Sequence, residues 1–381
     1  MASRDYDQYV ACMGVSILSE EWPAVRSLLP EGWEALARSC GALRRARQVR
    51  DPETLLRLIL LHAGGGLSLR QAVVRARVAG LATISDVALL KRLRASEGWL
   101  SALTVRMLAA RRRPMLPLAA SSPGHRLRIV DATTIQEPGS TGTSWRLHYS
   151  LTLPSLTCDH FKLTGPEGGE TYKNFSVRTG DVILADRGYC HREGVAHVVA
   201  RGGHVVVRMN TTSLPLLEPR GREFGLMAHL RTIRDRKAHE WPVVMETTTG
   251  RIPARLCAIR KSAIATACAR KRLRSYRAAK ARKKKLQRTT LEAAGYVFVL
   301  TTIPKSELSA ARILDLYRAR WQVELAFKRL KSLLEVGHVP KHDPRSARSW
   351  IQAKMLTVLL IERLMDRARF FSPWGFELEQ G

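Results

Sequence analysis

Four residues able to bind a phosphate or a metal ion recur along one segment near the C-terminal end of the sequence. The segment Ala311–Leu334 contains no Gly or Pro and consists mainly of helix-forming residues, so it predicts one continuous helix. At ~100° per residue, Tyr317, Arg320, Glu324 and Lys331 share a stripe roughly 60° wide between two apolar flanks. An amphipathic helix ordinarily has a single polar face. A second polar stripe therefore indicates a functional site.

Three carboxylates are placed where a sheet and this helix could bring them together. Asp131 and Asp186 end two predicted strands, and Glu324 belongs to the stripe. Open α/β sheets place their sites at the carboxyl ends of strands, and three converging carboxylates repel one another unless cations neutralise them. Carboxylate oxygens suit Mg²⁺ or Mn²⁺, and two such ions support in-line phosphoryl displacement. Asp159 and Asp181, which lie near turns, are interpreted as structural.

The other residues of the stripe then have roles at a phosphate. Arg320 can hold one through its planar guanidinium and Lys331 as a point charge. Tyr317 can donate a hydrogen bond to a phosphate oxygen or stack on a base. The alternative is an internal salt bridge between Arg320 and Glu324 at i,i+4 spacing. That alternative leaves Tyr317 and Lys331 unexplained.

The net charge predicts a polyanionic partner. The 381 residues carry a formal charge of +30, with a pI near 10.8, which favours nucleic acid over plain solubility. No apolar run reaches the ~20 residues needed to span a membrane, so we expect no membrane partner. Thirteen Lys or Arg and no acid lie between residues 260 and 288. We interpret this run, including Arg272, Lys283 and Lys284, as a basic helix along phosphates; a solvated charge run is the alternative.

The elements that must position these residues start with strands. The segments RLRIVDATTI, SWRLHYSLTL and TCDHFKLTG alternate in character from residue 126 onward and predict a three-strand meander. VILADRGY and HVVVRMN predict two further strands, each preceded by a helix. The order β-β-β-α-β-α-β is typical of a mixed α/β sheet. Residues 211–300 add predicted antiparallel strands and the basic run, and Ser309 is a suitable N-cap for the helix that follows.

The N-terminal part, residues 1–115, predicts only helices. Ser68 and Ser85 are N-cap candidates for two short helices joined by GLATI, a pattern that resembles a helix-turn-helix pair. On the second helix, Lys91, Arg92 and Arg94 could contact phosphates. A plain helical packing unit explains the same pattern.

These motifs together resemble a known family. The spacing Tyr317-x2-Arg320-x3-Glu324-x6-Lys331, written YRARWQVELAFKRLK, resembles the YREK signature of IS4-family DDE transposases. IVDATTI and LADRGY are similar to the two aspartate segments of that family. The resemblance implies that Asp131, Asp186 and Glu324 are the DDE triad. It also implies that Tyr317, Arg320 and Lys331 contact DNA near the cleaved end.

The resemblance also implies an architecture and a reaction. The fold would be α/β: an RNase H-like mixed-sheet catalytic core over 116–336 with a β-rich insertion at 211–300. A helical DNA-binding domain at 1–115 would precede this core, and a helical segment at 337–381 would follow it. The reaction would be cut-and-paste transposition of an insertion sequence, dependent on two Mg²⁺ ions with Mn²⁺ as a substitute. The partners would be double-stranded DNA, as terminal inverted repeats and target, and a second copy of the chain.

Two rival functions have different requirements. An RNase H-like nuclease would cut without joining and would not need end-specific binding, which the N-terminal helices could supply. A catalytically silent DNA-binding repressor of the element would be expected to have lost a carboxylate of the triad, yet all three are present. The six cysteines form no CxxC pair and no signal peptide is evident, so we expect the thiols to be reduced. We expect the protein to lie in a bacterial cytoplasm, associated with the nucleoid.

Overall fold

The computed structural model divides into two compact units. The first unit holds the described parts of 1–112, 133–147 and 325–381, and the second holds those of 113–132 and 148–324. The domain boundaries given by the sequence stay a prediction. The residues that the structure describes are 22–111, 116–117, 124–209, 214–279, 287–332, 337–340 and 343–368.

Helices form most of the first unit. The long helix α13 packs against α3, α5 and α6, and α3 also contacts α2 and α4. Leu55, Ile59 and Trp99 are fully buried in this unit. In chain order the helices are α1 Trp22–Arg26, α2 Trp33–Ser39, α3 Pro52–Ala63, α4 Leu69–Val78, α5 Asp86–Ala95, α6 Glu97–Ala109 and α13 Pro344–Ala368.

The expected pair of short helices, α4 and α5, is present, with its predicted caps. Ser68 accepts a hydrogen bond from the Gln71 N–H at 3.2 Å and completes a capping box. Ser85 accepts one from the Ala88 N–H at the same distance. Gly80, in the connection, has φ 66°, a left-handed conformation that glycine adopts without steric cost. Whether this pair contacts DNA stays a prediction.

One mixed sheet organises the second unit. Its strand order is β4-β3-β2-β5-β6-β9-β8-β7, with the short β1 paired to β2. β2, β5 and β6 are mutually parallel, and β9, β8 and β7 follow in antiparallel pairing. The strands are β1 Leu116–Pro117, β2 Gly124–Ile135, β3 Trp145–Thr152, β4 Cys158–Thr164, β5 Asp181–Ala185, β6 His204–Arg208, β7 His239–Thr247, β8 Gly250–Arg260 and β9 Tyr296–Thr301.

Helices complete this unit. β5 is buried along its whole length, as expected for a central parallel strand with both faces covered. α11 contacts β6, β7, β8 and β9. The helices of this part of the chain are α7 Arg192–Val199, α8 Leu226–Thr232, α9 Ala263–Ala279, α10 Arg288–Ala293, α11 Ala310–Arg318 and α12 Trp321–Ser332, of which α12 belongs to this unit only up to Glu324.

The predicted α/β class is confirmed: a mixed sheet with helices, preceded by a helical N-terminal region. The meander β2-β3-β4 and the parallel strands β5 and β6 have the predicted order. The strands of 211–300 extend this same sheet, since β9 pairs with β6 and β8 with β9. No helix of the described residues is long and apolar enough to cross a membrane, and no disulfide joins the described cysteines.

The predicted continuous helix Ala311–Leu334 is wrong, because the structure has two helices here. α11 ends at Arg318 and α12 begins at Trp321. At the break the Arg320 N–H donates to the Tyr317 carbonyl, a bond to the third preceding residue that marks a tighter turn than the α-helix. Helix propensity gave no sign of the break, because propensity is a weak prior that tertiary contacts override. The predicted N-cap of α11, Ser309, is confirmed.

Asp159 and Asp181 have the structural role predicted for them. Both pair with the buried Arg128, at 2.9 Å and 3.2 Å, and Asp181 also pairs with Arg126 at 2.7 Å. The side chains of Arg128 and of both acids are at most 2% exposed. Removal of one partner would leave a buried charge poorly compensated. These acids therefore stabilise the sheet.

We expect Asp181→Ala to lower the free energy of unfolding by about 3–5 kcal/mol, because the buried Arg128 loses a partner. Urea unfolding followed by circular dichroism measures the change. Asp235→Ala is the matched control, since Asp235 is an exposed acid that pairs with His239. This control should leave the unfolding midpoint nearly unchanged. Equal stability of the two variants would contradict the structural role of Asp181.

Candidate active site

Asp131 and Asp186 lie beside each other on neighbouring parallel strands. Asp186 directly follows β5, as predicted, but the prediction that Asp131 ends its strand is wrong, because β2 continues to Ile135. β2 pairs with β5 so that Ile129 is opposite Leu184, and extension of this register by two residues sets Asp131 beside Asp186. Neighbouring strands are about 4.8 Å apart. Two carboxylates are thus placed at the carboxyl edge of the sheet, where α/β folds build their sites.

The turn after β5 holds the side chain of Asp186. This side chain accepts a hydrogen bond from the Gly188 N–H at 2.8 Å and caps the short 3-10 helix Arg187–Tyr189. A Cβ atom built on Gly188 would collide with the Glu170 carboxylate and would lie 3.2 Å from Asp186 Oδ1. A side chain at position 188 would therefore displace the Glu170 carboxylate and crowd that of Asp186.

Asp131 is the carboxylate whose ionisation is most perturbed. Burial raises the pKa of Asp131 to about 7, and the Asp186 and Glu170 carboxylates act in the same direction. The Ala132 N–H, which donates to Asp131 Oδ1 at 2.8 Å, and the Arg320 guanidinium both lower this pKa. Burial dominates, so the carboxylate carries its charge at a cost that a nearby cation would reduce.

Arg320 connects the helical side of the site to the strand side. One guanidinium nitrogen donates to Glu324 Oε1 at 2.5 Å, and the other lies 3.8 Å from Asp131 Oδ2. The internal salt bridge considered as an alternative is therefore present. The Glu324 side chain is 62% exposed, so it is free to turn to another cation. Tyr317 is buried nearby; its pKa is raised mainly by burial and lowered by Arg320.

The donor chemistry of this site suits a divalent cation. Asp131, Asp186 and Glu324 supply hard carboxylate oxygens, which Mg²⁺ and Mn²⁺ prefer. Among the residues that the structure describes, no group of three or more His, Cys, Asp or Glu side chains is close enough to hold a metal ion. Glu324 is instead paired with Arg320, whose positive charge lies between Glu324 and Asp131. The residues fit a divalent cation if Glu324 exchanges Arg320 for it.

Known proteins with similar sequences identify the family of this chain. The family model described as a transposase DDE domain matches residues 166–360. InsL of insertion sequence element IS186A, from Escherichia coli strain K12, is 36% identical over 362 residues, which cover 93% of this chain and 96% of InsL. The transposase of insertion sequence element IS421, from Escherichia coli, is 36% identical over 363 residues, with the same coverage. The chain belongs to the DDE transposase family.

The resemblance to IS4-family transposases is thereby confirmed, and the protein is a DNA transposase of the insertion-sequence type. As a member of this family it is a polynucleotidyl transferase that acts on DNA and depends on divalent metal. Among solved structures, a piggyBac transposase in a synaptic complex with hairpin DNA aligns with a TM-score of 0.46 and 9% identity. That alignment covers 94% of this chain and 76% of the other.

Three charged residues of the transposase that lie near Asp186 were missed by the sequence analysis. Glu170, in the loop after β4, lies against Gly188 and raises the pKa of Asp131. Burial lowers the pKa of Arg187, and the positive charge of the nearby Arg208 acts in the same direction. Arg208 ends β6 at the same edge of the sheet, so the strand-end rule that selected Asp186 could have found it. The loop of Glu170 has no periodic pattern that would have singled it out.

The remaining predicted site residues of the transposase are distributed over both units. Lys331, on α12, and Lys91, on α5, are exposed in the first unit. Arg92 donates to the Arg45 carbonyl at 2.6 Å, and Arg94 pairs with Asp343 at 2.9 Å. In the second unit, the predicted Arg272 is exposed on α9, whereas Lys283 and Lys284 lie outside the described residues.

Proposed function

We propose that Asp131, Asp186 and Glu324 are the catalytic carboxylates of this transposase and hold two Mg²⁺ ions, for which Mn²⁺ can substitute. The observation that carries the proposal is the register that sets Asp131 beside Asp186, together with the Arg320 contact that links Asp131 to Glu324. When bound, the two ions would activate the attacking oxygen and stabilise the leaving oxygen of an in-line displacement at phosphorus.

In this proposal the neighbouring side chains hold the DNA. Arg320 releases Glu324 and turns its planar guanidinium to a phosphate, where it can donate two hydrogen bonds. Tyr317, buried beside it, donates to a phosphate oxygen or stacks on a base. The proposal that Lys331 supplies a point charge to the DNA near the cleaved end rests on the YREK spacing alone. In this exchange Glu324 is paired with Arg320 before DNA binds and with a metal ion afterwards.

The basic surfaces are proposed to bind the terminal inverted repeats. Lys91, Arg92 and Arg94 would contact phosphates from the helix pair of the first unit, and Arg272 from α9, whereas Lys283 and Lys284 rest on the sequence alone. The net charge of +30 supports such contacts. We also propose that the transposase is a dimer on DNA and that it resides in the bacterial cytoplasm with the nucleoid. These two proposals rest on the family resemblance.

The proposed reaction predicts a joined product. The protein would hydrolyse DNA at the terminal repeat, release a 3′-OH, and transfer that end to a target strand. Purified protein is incubated with a duplex that carries its flanking inverted repeat, a target plasmid and Mg²⁺. Electrophoresis should then show both nicked duplex and repeat DNA joined to the plasmid. Nicks without joining would indicate a nuclease and contradict the proposal. Omission of Mg²⁺, or added chelator, should remove both products.

A further inference from the structure

On the side of the sheet that carries the two aspartates, the neighbouring strands β6 and β8 end in basic residues. β6 follows β5 in parallel, with Ala185 opposite Val207, so Arg208 is the next residue at this edge after Asp186. β9 and β8 lie beyond β6, and Arg260, the last residue of β8, is opposite Tyr296, the first of β9. Since β9 is antiparallel to both of its neighbours, β6 and β8 end on the side where β9 begins; Arg208 is opposite Val299, and Arg260 reaches three residues further, opposite Tyr296. Carboxylates and cations thus share one side of the unit.

The cations at this edge are close to one another. Burial lowers the pKa of Lys261 to about 8, and the positive charges of Arg208 and Arg187 act in the same direction. Lys261 Nζ donates to the Ala294 carbonyl at 2.9 Å, a contact that orients the amine and leaves its charge uncompensated. Within the described part of the chain, no acid forms an ion pair with Arg187, Arg208 or Lys261. Gathered like charges are costly, so an anion that binds here would relieve repulsion.

A basic cavity of about 680 Å³ opens beside Lys261. Its lining includes four arginines, Arg234, Arg236, Arg260 and Arg270, together with Tyr296. The acid that lines the cavity, Glu292, is neutralised by Arg231 at 2.7 Å. The volume is in the range of pockets that take ligand-sized groups.

The start of α9 adds backbone donors to this cavity. Ser262 and Ala263 line the cavity, and the Ser262 hydroxyl accepts a hydrogen bond from the Ala265 N–H at 3.2 Å. α9 has 17 residues. The first N–H groups of a helix this long favour an anion through their partial positive charge. The chemistry that this cavity would recognise is a phosphate group.

The position of the cavity favours a DNA strand over a free phosphate compound. From Asp186 to β8 there are three strand-to-strand steps of about 4.8 Å, and Arg260 lies three residues further along the strand direction than Arg208. The separation between Asp186 and Arg260 is therefore about 17 Å. A strand bound at the aspartates can span that distance within a few nucleotides. A free nucleotide or pyrophosphate would occupy the cavity alone and would give no role to Arg187 and Arg208.

We propose that Arg187, Arg208, Lys261 and the basic cavity form a track for the DNA backbone. The track binds the phosphates of one strand a few nucleotides away from the phosphate at the aspartates. This inference rests on the proposed catalytic site, because the start of the track is set by Asp186. It goes beyond that proposal, because it assigns DNA binding along the ends of these strands to residues outside the YREK signature.

The test removes charge from both partners of the proposed contact. Full-length wild-type protein and the double variant Arg260→Gln/Lys261→Gln bind terminal-repeat duplexes that extend across the cleavage position, in the absence of divalent metal. One phosphate at a time is replaced by a neutral methylphosphonate. At phosphates a few nucleotides from the cleavage position, the replacement should weaken wild-type binding by about tenfold. The same replacement should change binding by the double variant less than about twofold.

The salt dependence of binding gives a second readout. The slope of log K against log salt should fall by about one for each phosphate that the protein no longer neutralises, and so by about two in the double variant. Arg220→Gln/Arg222→Gln is the charge-matched control, because both residues are exposed and do not line the cavity. If Arg260→Gln/Lys261→Gln fails to fold, Arg234→Gln/Arg236→Gln removes two charges from an exposed segment of the same cavity.

Three results would overturn the track. The first is equal sensitivity of wild type and double variant to every methylphosphonate, and the second is an equal decrease of the salt slope in the control variant. The third is tight pyrophosphate binding that only the double variant loses, with no change in its sensitivity to neutralised DNA phosphates. Whether Glu324 is catalytic is tested separately, by the cleavage of a terminal-repeat duplex by Glu324→Gln. Retained cleavage there would reject the triad while leaving any measured coupling at the cavity in place.

Discussion

Glu324→Gln should lower DNA cleavage by at least about 10³-fold, which corresponds to about 4 kcal/mol of lost transition-state stabilisation. The amide keeps the shape of the side chain but loses the negative charge proposed to hold metal. DNA binding should stay within about twofold of wild type, since Glu324 neutralises no phosphate. Cleavage of a labelled terminal-repeat duplex gives the first quantity, and an electrophoretic mobility shift without metal gives the second.

Asp315→Asn is the control for this variant. Asp315 is an exposed acid on α11 that lies 3.7 Å from Arg318, so its substitution also removes one negative charge from the same pair of helices. We expect it to cleave like wild type. Cleavage by Glu324→Gln near the level of Asp315→Asn would refute the assignment of Glu324. A parallel loss of DNA binding in Glu324→Gln would instead indicate damage to the DNA-binding surface.

Asp131→Asn should lower Mn²⁺ affinity by about 100-fold at pH 8, because a buried carboxylate proposed as a ligand is removed. In the wild type this affinity should depend on pH. Burial raises the pKa of Asp131 to about 7, so a proton competes with metal below that value. Each pH unit below about 7 should weaken wild-type binding by roughly tenfold, and the variant should lose this dependence. Titration calorimetry with Mn²⁺ measures both effects, with Asp315→Asn as the control.

The same group should make the metal-free protein less stable at neutral pH. The pKa of Asp131 is about 7 in the folded state and near 3.8 when the chain unfolds, so the folded state holds the proton more tightly. The free energy of unfolding should therefore fall as pH rises through this interval, by about 4 kcal/mol at most, and stay constant above it. Urea unfolding in chelator should show this fall in wild type and a flatter profile in Asp131→Asn. Identical profiles would contradict the raised pKa.

Much of the fold could be predicted because its signals are local. The apolar run VILA predicts a strand, and the buried strand β5 occupies those residues. Ser68, Ser85 and Ser309 were predicted as N-caps, and all three accept the expected backbone hydrogen bonds. A cap depends on a residue and its neighbours three positions away, so tertiary structure is not needed to identify it.

The helix break could not be predicted for the opposite reason. Ala311–Leu334 contains no Gly or Pro, and propensity alone favours a continuous helix. Arg320, at the break, contacts Asp131 on a strand far away in the sequence, and helix propensity takes no account of contacts of this kind. The four-residue stripe was therefore derived from a straight helix that the structure does not contain. Lys331, its fourth residue, belongs to the first unit. Tyr317, Arg320 and Glu324 belong to the unit that holds Asp131 and Asp186.

By itself the sequence determined the residue types and spacings that identify a DDE transposase, the order of its strands and the charge that attracts DNA. These properties follow from composition and short-range pattern. Only the tertiary structure decided which charges meet: Arg320 with Asp131 and Glu324, Glu170 with the loop of Asp186, and Arg208 with Lys261 across β9. Sheet register brings these groups together, and register depends on pairing between strands distant in sequence.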